Sequence, residues 1–164
     1  MIANHQPPEV LRLPPRDGVP NNPDLPALVY RSALPADADA IERRFAENDW
    51  PPAWRWGIYD FHHYHVTGHE ALGVARGRAR VVLGGPGGPE LQIDAGDVLV
   101  LPAGTGHCRL EQSPDFLVVG AYPPGQNGTV ERPPAAPDHA ARIAALPRPD
   151  TDPVTGALAD AWRR

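Results

Sequence analysis

Lysine is missing from this chain of 164 residues, so all 15 of its basic residues are arginine. That absence excludes Schiff-base chemistry, a lysine general base and the lysine of a phosphate-binding P-loop. Serine occurs only as Ser32 and Ser113, and neither lies in a G-x-S-x-G turn, which argues against a serine hydrolase. Any chemistry must therefore depend on His, Asp, Glu or Arg side chains, with or without a metal.

Cysteine, long apolar runs and positive charge are also scarce. The single cysteine, Cys108, excludes an internal disulfide and fits a reducing compartment, so we expect a cytoplasmic protein. No apolar run approaches the ~20 residues of a membrane span, and the N-terminus lacks a signal-peptide pattern. The net charge of −5 argues against nucleic-acid or membrane binding. The expected partner is a small-molecule substrate or ligand.

Proline is abundant, and its distribution divides the chain. Only four of the 22 prolines lie within residues 57–122, which leaves 18 in the flanks. Proline cannot donate a hydrogen bond to a sheet, so the middle can be a regular sheet while the flanks cannot. We expect a single domain in which residues 57–122 form the core, with arms at 1–56 and 123–164.

Each arm contains one predicted helix. Residues 37–48 carry acids early, arginines later and an i, i+4 apolar pair, Ile41 and Phe45. A shorter helix is predicted from His139 to Leu146, with Asp138 as its N-cap. The tail that follows is expected to be a loop anchored by Trp162.

The middle of the chain alternates short apolar segments with turns, a pattern typical of an all-β sandwich or barrel. The predicted strands are residues 57–66, 70–75, 79–83, 90–93, 98–101, 108–111 and 116–122. The glycine-rich segment 84–89 is interpreted as a turn and not as a phosphate loop, because it lacks a following helix and a lysine.

Four of the seven histidines fall within residues 61–70, FHHYHVTGHE. Because strand side chains alternate between faces, His63 and His65 share one face. After a turn, Glu70 is in phase with the apolar positions of the next strand. His107 begins a later strand and is the remaining histidine of the sheet region. Two other histidines of the segment lie in the opposite phase: His62 and His69.

This spacing favours a metal site. A lone histidine is more often structural than a metal ligand, but a buried glutamate beside two imidazoles needs a compensating charge. His63, His65 and Glu70 can converge on one interior point, and His107 can supply a fourth ligand from a facing strand.

The residues of this site also match both sequence motifs of the cupins, which are small double-stranded β-helix barrels. The first motif, G-x5-H-x-H-x4-E-x6-G, is matched with every gap correct by Gly57, His63, His65, Glu70 and Gly77. The second, G-x5-P-x-G-x2-H-x3-N, is matched by Gly96, Pro102, Gly104 and His107. The last position of this motif is Glu111 instead of Asn. That position is not a metal ligand in cupins, so the difference leaves the predicted site intact. The flanking segments resemble the small bacterial single-domain YjlB-like cupins.

The resemblance implies a jelly-roll barrel that holds a divalent transition metal with His63, His65, His107 and Glu70. Fe(II), Mn(II), Ni(II), Zn(II) and Cu(II) all suit imidazole and carboxylate ligands. The activities it implies are dioxygenation of a small organic acid, isomerisation or decarboxylation. Cupins commonly pair through their sheets, so a homodimer is expected.

Other residues near the predicted site have two interpretations each. Arg109 either binds a substrate carboxylate or forms a surface ion pair with Glu111 or Asp115. Tyr59 is either a barrel-core residue or a proton donor at the open metal position. Three tryptophans of the first arm either anchor it on the barrel or form a lid or dimer contact: Trp50, Trp54 and Trp56.

Three classes of function stay open at this point. The first is a metal-dependent enzyme, which turnover of a substrate would identify. The second is a non-catalytic barrel that binds a metal or a small molecule. The third is a purely structural barrel with a histidine-rich core, whose stability a chelator would not change.

Overall fold

The computed structural model describes residues 6–163, which form antiparallel sheets with two short helices. The strands in that range are β1 (Glu9–Leu11), β2 (Ala27–Tyr30), β3 (Pro52–Trp56), β4 (Tyr64–His65), β5 (Glu70–Arg76), β6 (Arg78–Leu83), β7 (Glu90–Asp94), β8 (Val98–Leu101), β9 (His107–Gln112), β10 (Leu117–Ala121) and β11 (Val130–Glu131). The helices are α1 (Ala38–Glu47) and α2 (His139–Ala145). Neither helix has the length and hydrophobicity of a membrane span.

Two sheets enclose the core of the barrel. The larger has the strand order β1-β2-β8-β5-β10-β3, the smaller has the order β7-β6-β9, and β11 pairs with β4. Buried apolar side chains from the six-stranded and the three-stranded sheet meet in one cluster, which includes Val29, Leu72, Val81, Ile93 and Val118. The fold is therefore the double-stranded β-helix, or cupin-type jelly-roll barrel, that the sequence predicted.

Six of the seven predicted strands are confirmed, with ends that differ by no more than one residue. The first, predicted over residues 57–66, is wrong in its extent, because only Tyr64–His65 is a strand. His63 exchanges two backbone hydrogen bonds with His107, whereas the next contact joins the Tyr59 carbonyl to the Arg109 amide. Between these two contacts, residues 60–62 lie opposite the single residue Cys108. Such a bulge interrupts the regular hydrogen-bond ladder of a strand pair.

The prediction that the proline-rich flanks stay outside the sheets is wrong for both flanks, since β11 in the C-terminal flank pairs with β4. Strands β1, β2 and β3 all belong to the six-stranded sheet, and β2 is an internal strand. The prolines do not prevent this, because they lie between the strands or, as Pro52 does, at the first position of an edge strand.

Helix α1 covers the outer face of the large sheet. It begins after Asp37, whose carboxylate accepts a hydrogen bond from the Ala40 amide at 2.9 Å, and its buried side chains are Ile41 and Phe45. Both approach Gly73 so closely that an added Cβ would overlap the Ile41 side chain. The helix predicted over residues 37–48 is thus confirmed, with residues 37 and 48 as its caps.

The second helix and the tail end the fold. Helix α2 is confirmed at His139–Ala145, but the Asp138 side chain does not cap it and instead lies 3.6 Å from Arg142. Trp162, in a 3-10 turn, is buried, and its indole NH donates to the Pro26 carbonyl at 2.9 Å. The prediction that Trp162 anchors the tail is confirmed.

The C-terminal segment is also bound to β2 through one buried carboxylate. Asp152 accepts hydrogen bonds from the Tyr30 hydroxyl at 2.7 Å and from the backbone amides of Val154 and Thr155. Burial raises the pKa of Asp152, although these donors oppose the change. The carboxylate thus joins an internal strand to a segment more than 100 residues away.

We expect Tyr30→Phe to lower the free energy of unfolding by about 1.5–3 kcal/mol, because a buried hydrogen bond to a charged group is lost. Urea unfolding followed by circular dichroism measures this change. The control is Tyr59→Phe, whose side chain is 37% exposed, and it should change stability by less than ~0.5 kcal/mol. Equal stabilities of wild type and Tyr30→Phe would contradict the role given to Asp152.

Candidate metal centre

Three histidines meet inside the barrel where β4 and β9 approach. The backbone bridge between His63 and His107 brings their rings to a centroid distance of 4.0 Å, and the His65 ring lies 5.4 Å from that of His107. All three are buried, with exposures of 3–6%. One ring nitrogen from each lies within 4.8 Å of the others, so this cluster could hold a metal ion.

The backbone fixes the tautomer of each ring. Nδ1 of His63, His65 and His107 lies 2.9–3.0 Å from the carbonyl oxygens of Phe61, Thr129 and Thr105 respectively. A carbonyl can only accept, so each Nδ1 carries the proton and donates it. Each Nε2 then has a free lone pair, which is the arrangement that metal-binding imidazoles require.

Glu70 completes the cluster from the first residue of β5. Its carboxylate oxygens lie 3.2 Å from Nε2 of His65 and 3.2 Å from Nε2 of His107, and the side chain is buried. Glu70 Oε1 and His65 Nε2 have no hydrogen-bond partner. Acceptor atoms that face one another in a buried site need a cation between them, and the site fits a divalent metal on this ground.

Burial and the neighbouring side chains shift the pKa values of the clustered residues. Burial, together with the neighbouring His107, lowers the pKa of His63 to about 3. Burial opposes the ionisation of Glu70, yet His65 and His107 hold the pKa of its carboxyl well below the usual range. Burial also opposes protonation of His65, but the Glu70 carboxylate outweighs it and raises the pKa of His65. In metal-free protein, a proton on His65 is thus the alternative cation.

Tyr122 is a site residue that the sequence reasoning missed. Its hydroxyl donates to Glu70 Oε2 at 2.8 Å and accepts from the Trp54 indole NH at 2.9 Å. Burial and the Glu70 carboxylate raise the pKa of Tyr122. An added Cβ at Gly120 would overlap the Trp54 ring, and one at Gly128 would overlap the Tyr122 hydroxyl. The one sequence signal for Tyr122 is its position in the predicted strand 116–122. It has the same phase as Val118, and Val118 faces the core.

We expect Tyr122→Phe to weaken metal binding about 10- to 100-fold, because Glu70 loses the donor that orients it. Competition between the protein and a chromogenic chelator measures this affinity. Tyr59→Phe is again the matched control, since its ring lines the same cavity without a hydrogen bond to Glu70. Unchanged affinity in Tyr122→Phe would contradict the positioning role.

Of the two other predicted site residues, Tyr59 lines the cavity and Arg109 does not. The Tyr59 ring lines the cavity and stacks on Phe61 at 4.7 Å, so its proton-donor role stays a prediction. Arg109 does not line the cavity, and its Nε donates to the Ile58 carbonyl at 3.1 Å. The ion pair of Glu111 is with Arg80 at 2.6 Å. Direct contact of Arg109 with a substrate therefore stays a prediction.

His69 is not among the clustered histidines, as its strand phase predicted. Its Nδ1 accepts from the Ala103 amide at 2.9 Å, and its Nε2 donates to the Pro147 carbonyl at 3.1 Å. Burial lowers the pKa of His69 to about 4. This neutral, fully hydrogen-bonded ring has a structural role. His62 is partly exposed and also lies outside the cluster.

A cavity of about 400 Å³ opens over the cluster. Its walls are mainly aromatic and aliphatic, and its lining residues are Trp54, Trp56, Gly57, Ile58, Tyr59, His63, His65, Glu70, Leu72, His107, Tyr122, Gly128 and Val130. Two of the three tryptophans of the first arm thus line the cavity. The third, Trp50, is fully buried, and its indole NH donates to the Thr151 carbonyl.

A jelly-roll barrel with a buried cluster of three histidines defines a cupin-like protein. Over 145 residues, the chain is 38% identical to the uncharacterized protein YjlB of Bacillus subtilis (strain 168), and the match covers 87% of each chain. The chain belongs to the YjlB family.

The chain also resembles a solved structure over part of its length. The crystal structure of a DUF861 family protein from Thermotoga maritima is 19% identical and overlaps with a TM-score of 0.33, over 53% of this chain and 93% of that one. No protein-family model matches the chain.

Proposed function

We propose that the protein is a metal-dependent enzyme that acts on a small molecule. His63, His65 and His107 would bind the metal through Nε2, and Glu70 would supply a carboxylate oxygen. The observation that supports this most strongly is the buried arrangement in which Nε2 of His65 and Nε2 of His107 each lie 3.2 Å from a Glu70 oxygen while both Nδ1 atoms donate to backbone carbonyls.

A bound Fe(II), Mn(II), Ni(II), Zn(II) or Cu(II) ion would supply Lewis-acid chemistry, or redox chemistry where the metal allows it. The protein's own groups would orient the ligands and exclude water. Tyr122 holds Glu70, and backbone carbonyls hold the three rings. Dioxygenation, isomerisation and decarboxylation of a small organic acid are the reaction types proposed.

The test is elemental analysis of untagged protein purified without a metal column, followed by turnover assays. We expect about one transition-metal ion per chain, and oxygen uptake or product formation with small organic acids. Absence of metal, both as purified and after reconstitution, would overturn the proposal. A stable metal load without turnover across the reaction types would favour the alternative, a non-catalytic metal- or ligand-binding barrel.

We also propose that the protein is a homodimer. The strand β1 is an edge of the six-stranded sheet, and its exposed Val10 leaves an apolar side chain there. Light scattering of the full chain should give twice the mass of one chain. A single-chain mass at micromolar concentration would contradict the proposal.

A further inference from the structure

The walls of the cavity restrict the charge of the molecule that can bind beside the metal, and this inference rests on the proposed function. Among the lining residues, Glu70 is the only carboxylate and no arginine is present, while the chain has no lysine. Two arginines of adjacent segments do not line the cavity. Arg109 binds the Ile58 carbonyl, and the Arg132 guanidinium lies 4.1 Å from the centroid of the Phe61 ring.

The charge balance of the loaded site follows from its ligands. A divalent ion with three neutral imidazoles and one carboxylate has a net charge of +1. Because the four ligands are 2–6% exposed, solvent compensates this charge poorly, and a ligand with a single negative charge neutralises it. A second negative charge on the ligand would have no cationic side chain among the lining residues to pair with.

The shape of the wall restricts the body of the ligand. Four aromatic side chains and two aliphatic ones contribute to the wall: Trp54, Trp56, Tyr59, Tyr122, Leu72 and Val130. Aromatic rings stack favourably on flat partners. A volume of about 400 Å³ is near the lower end of the range for small-molecule pockets. A peptide or a polymer does not fit such a space.

We infer that the site binds small, planar, aromatic or conjugated monoanions that carry a second oxygen donor next to the charged one. A metal held by His63, His65, His107 and Glu70 would attract the charged oxygen, and the neighbouring oxygen would serve as a second donor. The ring lies against the aromatic wall. Dianions and phosphorylated compounds are excluded by the missing cation, and saturated rings are disfavoured by shape.

Three probes test charge and flatness separately. Salicylate is planar with one negative charge, phthalate is planar with two, and cis-2-hydroxycyclohexanecarboxylate has one charge on a saturated ring. Isothermal titration calorimetry on the 164-residue chain loaded with Ni(II) gives each affinity, which is then divided by the affinity of the probe for aqueous Ni(II). We expect salicylate to exceed each of the other two by at least about 10-fold on this scale.

Two wall variants test the cause. Trp56 is 56% exposed at the mouth, so Trp56→Ala should retain the metal and weaken salicylate about 3- to 10-fold. Val130 lines the cavity and is 37% exposed, so Val130→Arg can place a cation there without burying it. This variant should raise the affinity for phthalate about 10-fold while salicylate changes less.

Elemental analysis of the same samples separates the two possible failures. Metal-loaded protein that binds phthalate or the saturated acid as well as salicylate would overturn this inference and leave the metal site intact. Metal-loaded Val130→Arg that gains no phthalate affinity would also overturn it. Protein that takes up no Ni(II) would overturn the proposed function and this inference with it.

Discussion

Replacing His65 and His107 together with alanine is expected to reduce metal binding by more than about 1,000-fold and to abolish any turnover. The variant removes two of the four candidate ligands, while Tyr122 and the backbone carbonyls stay in place. Loss of even a hydrogen-bonding partner of a metal ligand costs about 10- to 100-fold in affinity, so loss of two ligands costs more. Elemental analysis after dialysis against a weak chelator measures the retained metal.

His62→Ala is the matched control for that variant. His62 lies in the same histidine-rich segment, but it is partly exposed and outside the cluster. We expect it to retain the metal content of the wild type. Equal metal contents in the double variant and in His62→Ala would mean that the metal binds elsewhere or adventitiously. Circular dichroism of both variants would show that the fold is retained.

Removal of the metal by a chelator is expected to lower the melting temperature by roughly 5–15 °C. An ion that binds only the folded chain stabilises it by about 3–4 kcal/mol when its free concentration is 100 to 1,000 times the dissociation constant. Each kcal/mol corresponds to roughly 2–4 °C for a chain of this size. Without a metal, the facing acceptor atoms of His65, His107 and Glu70 are compensated only by the Tyr122 hydroxyl and one proton.

Differential scanning fluorimetry with and without EDTA measures this shift, and added Zn(II) should reverse it. The double variant with His65→Ala and His107→Ala should show no shift, because it has no metal to lose. A wild-type melting temperature that EDTA does not change would favour a purely structural role for the histidines.

Three of the clustered residues could be predicted because their geometry is local. His63, His65 and Glu70 are separated by strand alternation and one turn, so their phase fixes which face each side chain occupies. The same reasoning separated His69 from the cluster, and its hydrogen bonds to Ala103 and Pro147 agree. Strand positions in the middle of the chain were also predictable, since short apolar segments alternate there with turns.

Long-range contacts account for what could not be predicted. The position of β2 inside the large sheet depends on its pairing with β8, which lies about 70 residues later in the chain. Tyr122 reaches Glu70 only because Gly120 and Gly128 leave room for the Trp54 and Tyr122 side chains. The bulge before His63 likewise arises from a pairing with β9 that the segment itself does not encode.

The carbonyls that hold the three imidazoles also set an order of events during protein synthesis. His63 and His107 each use the carbonyl two residues before them, whereas His65 uses Thr129, 64 residues further along the chain. A nascent chain that ends before Thr129 can present ligands but cannot orient all of them. If the site binds a metal as proposed, tight capture would be a late step, and retained metal would report that the C-terminal segment has been made and has docked.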